Sequence, residues 1–288
     1  MNTSALSRIE KQMDKLTKLQ RKIAAYVLSD PIQAAFMTVD QLAHAVGVST
    51  ATIVRFSTEL GYSGYTEFQG ALQEYLKDKA KPSAKLQVSM VRNKGKEEEP
   101  EFITANTQLV LDNIERTMEG MSEQTLEAVI DKLLSAKKVY CVGLRTSACI
   151  STYLGYNLGR MLDAPCIRCE NTGDYAEHIR RITKGDVVFA VTMSRYSRQV
   201  VEFAKLASQK GAVVVAFTDS YGSPLAQYAN YQLIARTASD GFHNSVVAFC
   251  YIVDILLGLC CRKVSETVKK NLKESEQVLS ETNFMISQ

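Results

Sequence analysis

From Lys137 onward five short apolar runs, "KKVYCVG", "APCIRC", "DVVFAVT", "AVVVAFT" and "YQLIART", alternate with helix-patterned stretches. Continuous apolar runs of this length read as strands buried on both faces, and the intervening segments have helical period. Strands separated by helices bury their surfaces as a doubly wound parallel sheet, here five-stranded and flavodoxin-like, with helices on both sides. In such a sheet, ligands bind outside the carboxyl ends of the strands near the point where strand order reverses.

The first 80 residues lack these runs and read as an all-α head. "TKLQRKIAAYVLSD" sets Leu19, Ile23 and Val27 on one face and stops before Pro31, because a residue preceding proline avoids the helical region. "TVDQLAHAVG" opens with a capping box, Thr38 with Gln41, and closes on Gly47. The next segment, "VSTATIVRFSTELG", opens with Ser49 as N-cap and ends at Gly61. Two short helices joined by a tight glycine turn make a helix-turn-helix. The second helix of that motif enters the major groove by its N-terminal residues, so Ser49, Thr50, Ala51, Thr52 and, one turn later, Arg55 are the expected DNA contacts. Ile53, Val54 and Phe56 are expected to face the bundle.

Between these halves, "KDKAKPSAKLQVSMVRNKGKEEEP" is polar and weakly periodic, a linker with one helical turn. The expected domains are therefore residues 1–78, a DNA-binding head; 79–106, a linker; and 107–288, a domain that binds an effector and dimerises. Residues 1–22 carry Arg8, Lys11, Lys15, Lys18, Arg21 and Lys22 against Glu10 and Asp14. The stretch 81–96 carries five basic groups and no acid, so both ends of the head can lie along a phosphate backbone or form solvated faces. The net charge of +3 adds no argument of its own.

Seven cysteines scattered through the chain suit a reducing cytoplasm, not a disulfide framework. Cys166 and Cys169 form a C-x-x-C inside a strand, where positions three apart face opposite ways, so no metal site and no cofactor is expected. The N-terminus reads as a charged amphipathic helix without a signal segment. "SVVAFCYIVDILLGLCC" is broken by Asp254 and is too short for a membrane span. A last helix from about Val264 places Val268, Leu272, Leu279 and Ile286 at near-heptad spacing, a seam for a partner helix or for its own domain.

Two loops at expected strand ends are rich in hydroxyls: "GLRTS" after the first strand and "TMSRYS" after the third. Ser147, Ser194 and Ser197, with helix N-terminal amides, are suited to ringing a small anion, while each serine alone also fits an ordinary helix cap.

The stretch "MTVDQLAHAVGVSTATIVRFSTELGYSGYTEFQGALQEYL" resembles the N-terminal helix-turn-helix of the RpiR/MurR family of bacterial transcription regulators. The resemblance implies a DNA-binding head in which Tyr62 and Tyr65 contact the DNA backbone or pack. Residues 125–262 resemble the sugar isomerase (SIS) domain, a phosphosugar-binding fold and the usual C-terminal partner of this head. The family loops read loosely G-x-G-x-S and S-x-S-G-x-S/T, and this chain departs from both, with Arg145 and Arg195 where glycines are expected. Three explanations stay open: a differently shaped anion, an anion with a second acidic group, or arginines that pair across a subunit interface. The ligand set implied is Arg145, Thr146, Ser147, Ser194, Arg195 and Ser197. The expected partners are a double-stranded DNA operator, a small phosphosugar-like anion and a second copy of the chain, with no membrane. The competing function is a sugar-phosphate isomerase, which needs a general base; Glu177, His178 and His243 are the candidates, none in a motif with an orienting partner, so no catalytic residue is expected.

Overall fold

The computed structural model describes residues 5–92 and 99–282, in two compact units. One holds the described residues up to 92 with segments 220–224 and 240–243; the other holds 99–219, 225–239 and 244–282. No helix among the described residues is long and apolar enough to cross a membrane.

The first unit is helical: α1 (Ala5–Gln12), α2 (Lys18–Ser29), α3 (Pro31–Phe36), α4 (Val39–Val46), α5 (Thr50–Glu59), α6 (Tyr65–Lys79) and α7 (Pro82–Arg92). Local chemistry sets most of the boundaries. Thr17 and Thr38 close capping boxes with Gln20 and Gln41 at the starts of α2 and α4. Proline ends α2 as its sequence suggests, yet the chain re-enters a helix at once: Pro31 takes the first position of α3, where its missing N–H costs nothing, under an Asp30 cap. Gly47 ends α4 in the left-handed region at φ 72°, which glycine adopts without a Cβ penalty. Ile9, Ile23, Val27, Leu42, Ile53, Phe56 and Phe68 are fully buried in one core. Two expectations fail here. Leu19 is 48% exposed and Val54 42% exposed, because the buried stripe of each helix is narrower than the apolar residues available to fill it.

The expected linker is largely helical. α7 covers eleven residues, and a single helix, α8 (Glu99–Glu119), runs through position 107. The polar residues there are mostly long, unbranched helix formers, and Pro82 sits at the first position of α7, so weak apolar periodicity conceals good helical propensity.

The second unit continues through α9 (Glu123–Leu134), β1 (Val139–Gly143), α10 (Thr146–Met161), β2 (Cys166–Cys169), α11 (Tyr175–Arg181), β3 (Val187–Val191), α12 (Arg198–Gln209), β4 (Val213–Thr218), β5 (Tyr231–Ile234), α13 (Val247–Lys263) and α14 (Ser265–Glu281). All five strands pair in parallel, in the order β2-β1-β3-β4-β5. Alternate residues of each strand feed two cores. Cys141, Phe189, Val215 and Phe217 pack with α9, α10 and α13, and Tyr140, Val142, Val188 and Ala216 pack with α12. Cys166 joins the first core and Cys169 the second, on opposite faces of the sheet. Asp254, which interrupts the apolar run of α13, accepts a hydrogen bond of 3.1 Å from the Tyr153 hydroxyl of α10. In α14 Val268 is buried and Leu272 packs on the same core, whereas Ile286 lies outside the described residues.

Candidate functional site

In the first unit α4, the left-handed Gly47 and α5 form the expected helix-turn-helix. Ser49 caps α5 by accepting from the Thr52 backbone N–H at 3.3 Å, and its hydroxyl lies 2.8 Å from that of Thr52. Ser49, Thr50, Ala51 and Arg55 are exposed, while Thr52 is half-buried. The Arg55 guanidinium donates to the carbonyl of Ala51 at 3.3 Å, which lays the side chain toward the N-terminal end of the helix. Lys11, Lys15 and Lys18 are exposed as well. Arg8 instead has a structural place, donating to the Leu60 carbonyl at 3.4 Å with its guanidinium over the Tyr62 ring. Tyr62 and Tyr65 are buried. The Tyr65 hydroxyl donates to the Met37 carbonyl at 2.8 Å, and burial pushes its phenol up to about 12. Of the two roles open to these tyrosines, their burial fits packing.

In the second unit the strand order reverses between β1 and β3, and the loops after these two adjacent strands are "GLRTS" and "TMSRYS". Gly143 ends β1 where a Cβ would lie 2.6 Å from the Ser147 carbonyl oxygen, so only glycine lets α10 begin this close to the strand. Arg145 then turns the chain at φ 56°, ψ −129°, and α10 starts with no side-chain cap. After β3 the backbone at Arg195 has φ 71°, and α12 starts from Ser197, whose hydroxyl makes no cap bond. Neither helix start carries a side-chain cap from its own N-cap residue, and neither has an acid in its first turn; the Ser147 and Ala148 N–H groups donate to the Leu144 and Arg145 carbonyls, and the Ser197 N–H donates to the Thr192 hydroxyl. Ser147 is only 5% exposed, and no hydrogen bond of its hydroxyl is found among the described residues. Arg145, Thr146 and Arg195 are exposed, and Ser194 and Ser197 are half-buried.

Four residues that sequence reasoning missed hold the loop after β3 and the segment beyond β5. Asp219, after β4, accepts from the Ser194 backbone N–H at 2.8 Å. Burial pushes its carboxyl up, against the opposing pull of that N–H. Asn244 donates to the Ser194 carbonyl at 3.3 Å. The same segment beyond β5 is tied to α8, where Asn113 donates to the Ala238 carbonyl at 2.7 Å and accepts from its N–H at 3.1 Å. Thr117 accepts from the Arg236 N–H at 2.9 Å. Asn113 and Thr117 are 3% and 1% exposed. Their signal in the sequence is two polar residues four apart on one helix, a spacing that puts them on one face.

Glu177 pairs with Arg180 at 3.3 Å, His178 packs edge-on against Tyr140, and His243 lies against Phe242. Among the described residues no cluster of three metal-ligating side chains occurs.

Comparison with known proteins matches both halves of the chain. Residues 3–79 match the helix-turn-helix domain of the rpiR family, and residues 132–258 match the SIS domain. An HTH-type transcriptional regulator of Caldanaerobacter subterraneus is 26% identical over 285 residues, covering 96% of this chain and 98% of that protein. The HTH-type transcriptional regulator HexR of Pseudomonas aeruginosa is 28% identical over 227 residues, covering 77% of this chain and 75% of HexR. Among solved structures, the Vibrio vulnificus NanR protein complexed with ManNAc-6P is 25% identical with a TM-score of 0.65, over 99% of this chain and all of that one. With the helix-turn-helix domain of the rpiR family matched over residues 3–79 and the SIS domain over residues 132–258, the chain belongs to the RpiR family of helix-turn-helix transcriptional regulators that carry an SIS domain.

Proposed function

We propose that this regulator grips a DNA operator through α5 and that a phosphorylated carbohydrate, bound where β1 and β3 end, changes that grip. One observation carries the reading: the two strands flanking the switch point both lead into helices without side-chain caps, beside Ser147, a buried residue whose hydroxyl makes no hydrogen bond among the described residues. Helix N-termini of this kind suit an anion. That NanR is complexed with ManNAc-6P supports a phosphosugar as its class.

A ligand shifts a conformational equilibrium only by its differential affinity for the two states. The route that supports such coupling runs from Ser194 through Asn244 and the segment beyond β5 to Asn113 and Thr117 on α8, the helix that follows the head in sequence. The protein acts as a homodimer in the cytoplasm, on half-sites spaced by one DNA turn, about 34 Å, or a multiple of it. Light scattering that finds only monomers with DNA binding intact contradicts the dimer.

Regulation and isomerisation separate in one experiment. Fluorescence anisotropy on a DNA fragment that the protein selects from a random pool, titrated with a panel of sugar phosphates, is expected to show a shift in affinity with at least one of them. The same mixtures are expected to contain no isomerised product, since Glu177 pairs with Arg180 and His178 packs against Tyr140, and neither is held by an orienting partner in a catalytic motif. Turnover without any effect on DNA binding overturns the reading.

A further inference from the structure

Resting on the effector site proposed above, we infer that the effector carries a second anionic group, a carboxylate, beside its phosphate, and that Arg145 and Arg195 receive it. Among the described residues these two are the non-glycine residues with positive φ, at 56° and 71°. Elsewhere the chain places glycine in that region, at positions 47, 61, 185 and 211. An L-residue there is held against its own steric preference, and such outliers gather at ligand sites. Both occurrences fall on the loops that flank the switch point, and both are arginine.

Neither guanidinium makes a hydrogen bond or ion pair with a described residue, and both side chains are exposed. Folding does not require these groups where they are. Electrostatics makes their placement costly as well. A cation is disfavoured at a helix N-terminus, where about half a positive charge already stands, yet Arg145 precedes α10 and the exposed Arg198 opens α12. Against Arg145, Arg195, Arg198 and the two helix ends stands the Asp219 carboxylate, which accepts from the Ser194 N–H of the second loop. The excess is about three positive charges, against the roughly 1.5 to 2 negative charges of a phosphate monoester at neutral pH. One carboxylate accounts for the remainder. The division of labour follows from donor geometry: the compact phosphate suits the N-terminus of α10 with the Ser147 hydroxyl, and the planar carboxylate suits the two-pronged guanidinium fork.

The test compares two probes that differ only in the second acid, a hexose phosphate and the phosphorylated aldonic acid of the same carbon chain, by calorimetry on the full-length protein. The wild type is expected to bind the aldonic acid at least about tenfold more tightly. In the Arg145→Gly/Arg195→Gly double variant that ratio is expected to fall toward one, with the hexose phosphate held nearly as before. Glycine adopts both backbone conformations freely, so the variant should fold, and circular dichroism checks that it does. Equal binding of the two probes by the wild type overturns the second anion while leaving the phosphate site standing, and so does a double variant that keeps the preference. A double variant that becomes monomeric in light scattering assigns the arginines to a subunit interface and overturns their role at the ligand. If inorganic phosphate and both probes all fail to bind, the site itself is wrong and this inference falls with it.

Discussion

The helix-turn-helix head and the switch point of the sheet solve one problem in opposite ways. Every helix starts with N–H groups that have no partner in the helix. In α2, α4 and α5 the hydroxyls of Thr17, Thr38 and Ser49 accept from one of those groups, and in α2 and α4 a glutamine closes the box. At α10 the capping position holds an arginine in a glycine conformation, and at α12 a serine that does not cap. The head caps its helix starts with its own side chains, whereas the α/β domain starts these two helices without side-chain caps, as the proposed effector site requires.

The largest expected effect is at Ser147. If its hydroxyl serves the ligand, Ser147→Ala weakens binding of a hexose phosphate by about 1.5–3 kcal/mol in calorimetry, the usual worth of a hydrogen bond to a charged group. Thermal stability should hardly move, because no described protein group loses a partner. Retained affinity with lowered stability would make this serine structural, like those of the head.

At the other end of the chain, Arg55→Ala is expected to cost about 1–3 kcal/mol on the selected operator and to relax preference at one base position, whereas a Lys15 substitution weakens all sequences alike. Competition with random-sequence DNA distinguishes the two. Equal losses on specific and random DNA for Arg55→Ala would remove it from base reading.

Cap deletion probes the contrast through stability. Thr38→Ala should lower the urea stability of the head by about 1 kcal/mol, while Ser197→Ala, which breaks no cap bond, should cost almost nothing. Matching losses at the two positions would erase the distinction between them. Smallest is Arg145→Gly without ligand. Relief of roughly 1–3 kcal/mol of backbone strain is partly offset by glycine's larger unfolded-state entropy, leaving a net gain of at most about 1 kcal/mol in thermal unfolding.

What is legible in the sequence is what local chemistry decides. Capping boxes, the glycine after α4 and apolar runs of strand length depend on neighbours within a few residues, so the turn of the helix-turn-helix and all five strands can be placed from the order of residues alone. The two loops are legible too, with arginines standing where glycines are expected. Their backbone is not: an arginine at position 145 could have relaxed the turn, and only the folded chain shows that it keeps φ 56°. Long-range partners are the other gap. Nothing near Asn113 or Thr117 indicates that both reach the segment beyond β5 over more than a hundred residues of chain. Asp219 holds the β3 loop from the end of a different strand. Val54 departs from expectation for a related reason, since which apolar residues a short helix buries depends on how wide its neighbours leave the groove.

Hydrogen–deuterium exchange of the full chain with and without a saturating hexose phosphate examines the two kinds of helix start side by side. Uncapped helix starts exchange more quickly than capped ones until a ligand occupies them. The expected result is slower exchange in peptides spanning 144–149 and 194–200 on adding the sugar phosphate, with the capped start of α4 at 38–42 unchanged. Protection absent from both loops while the compound demonstrably binds would contradict the assignment of the ligand to the ends of β1 and β3.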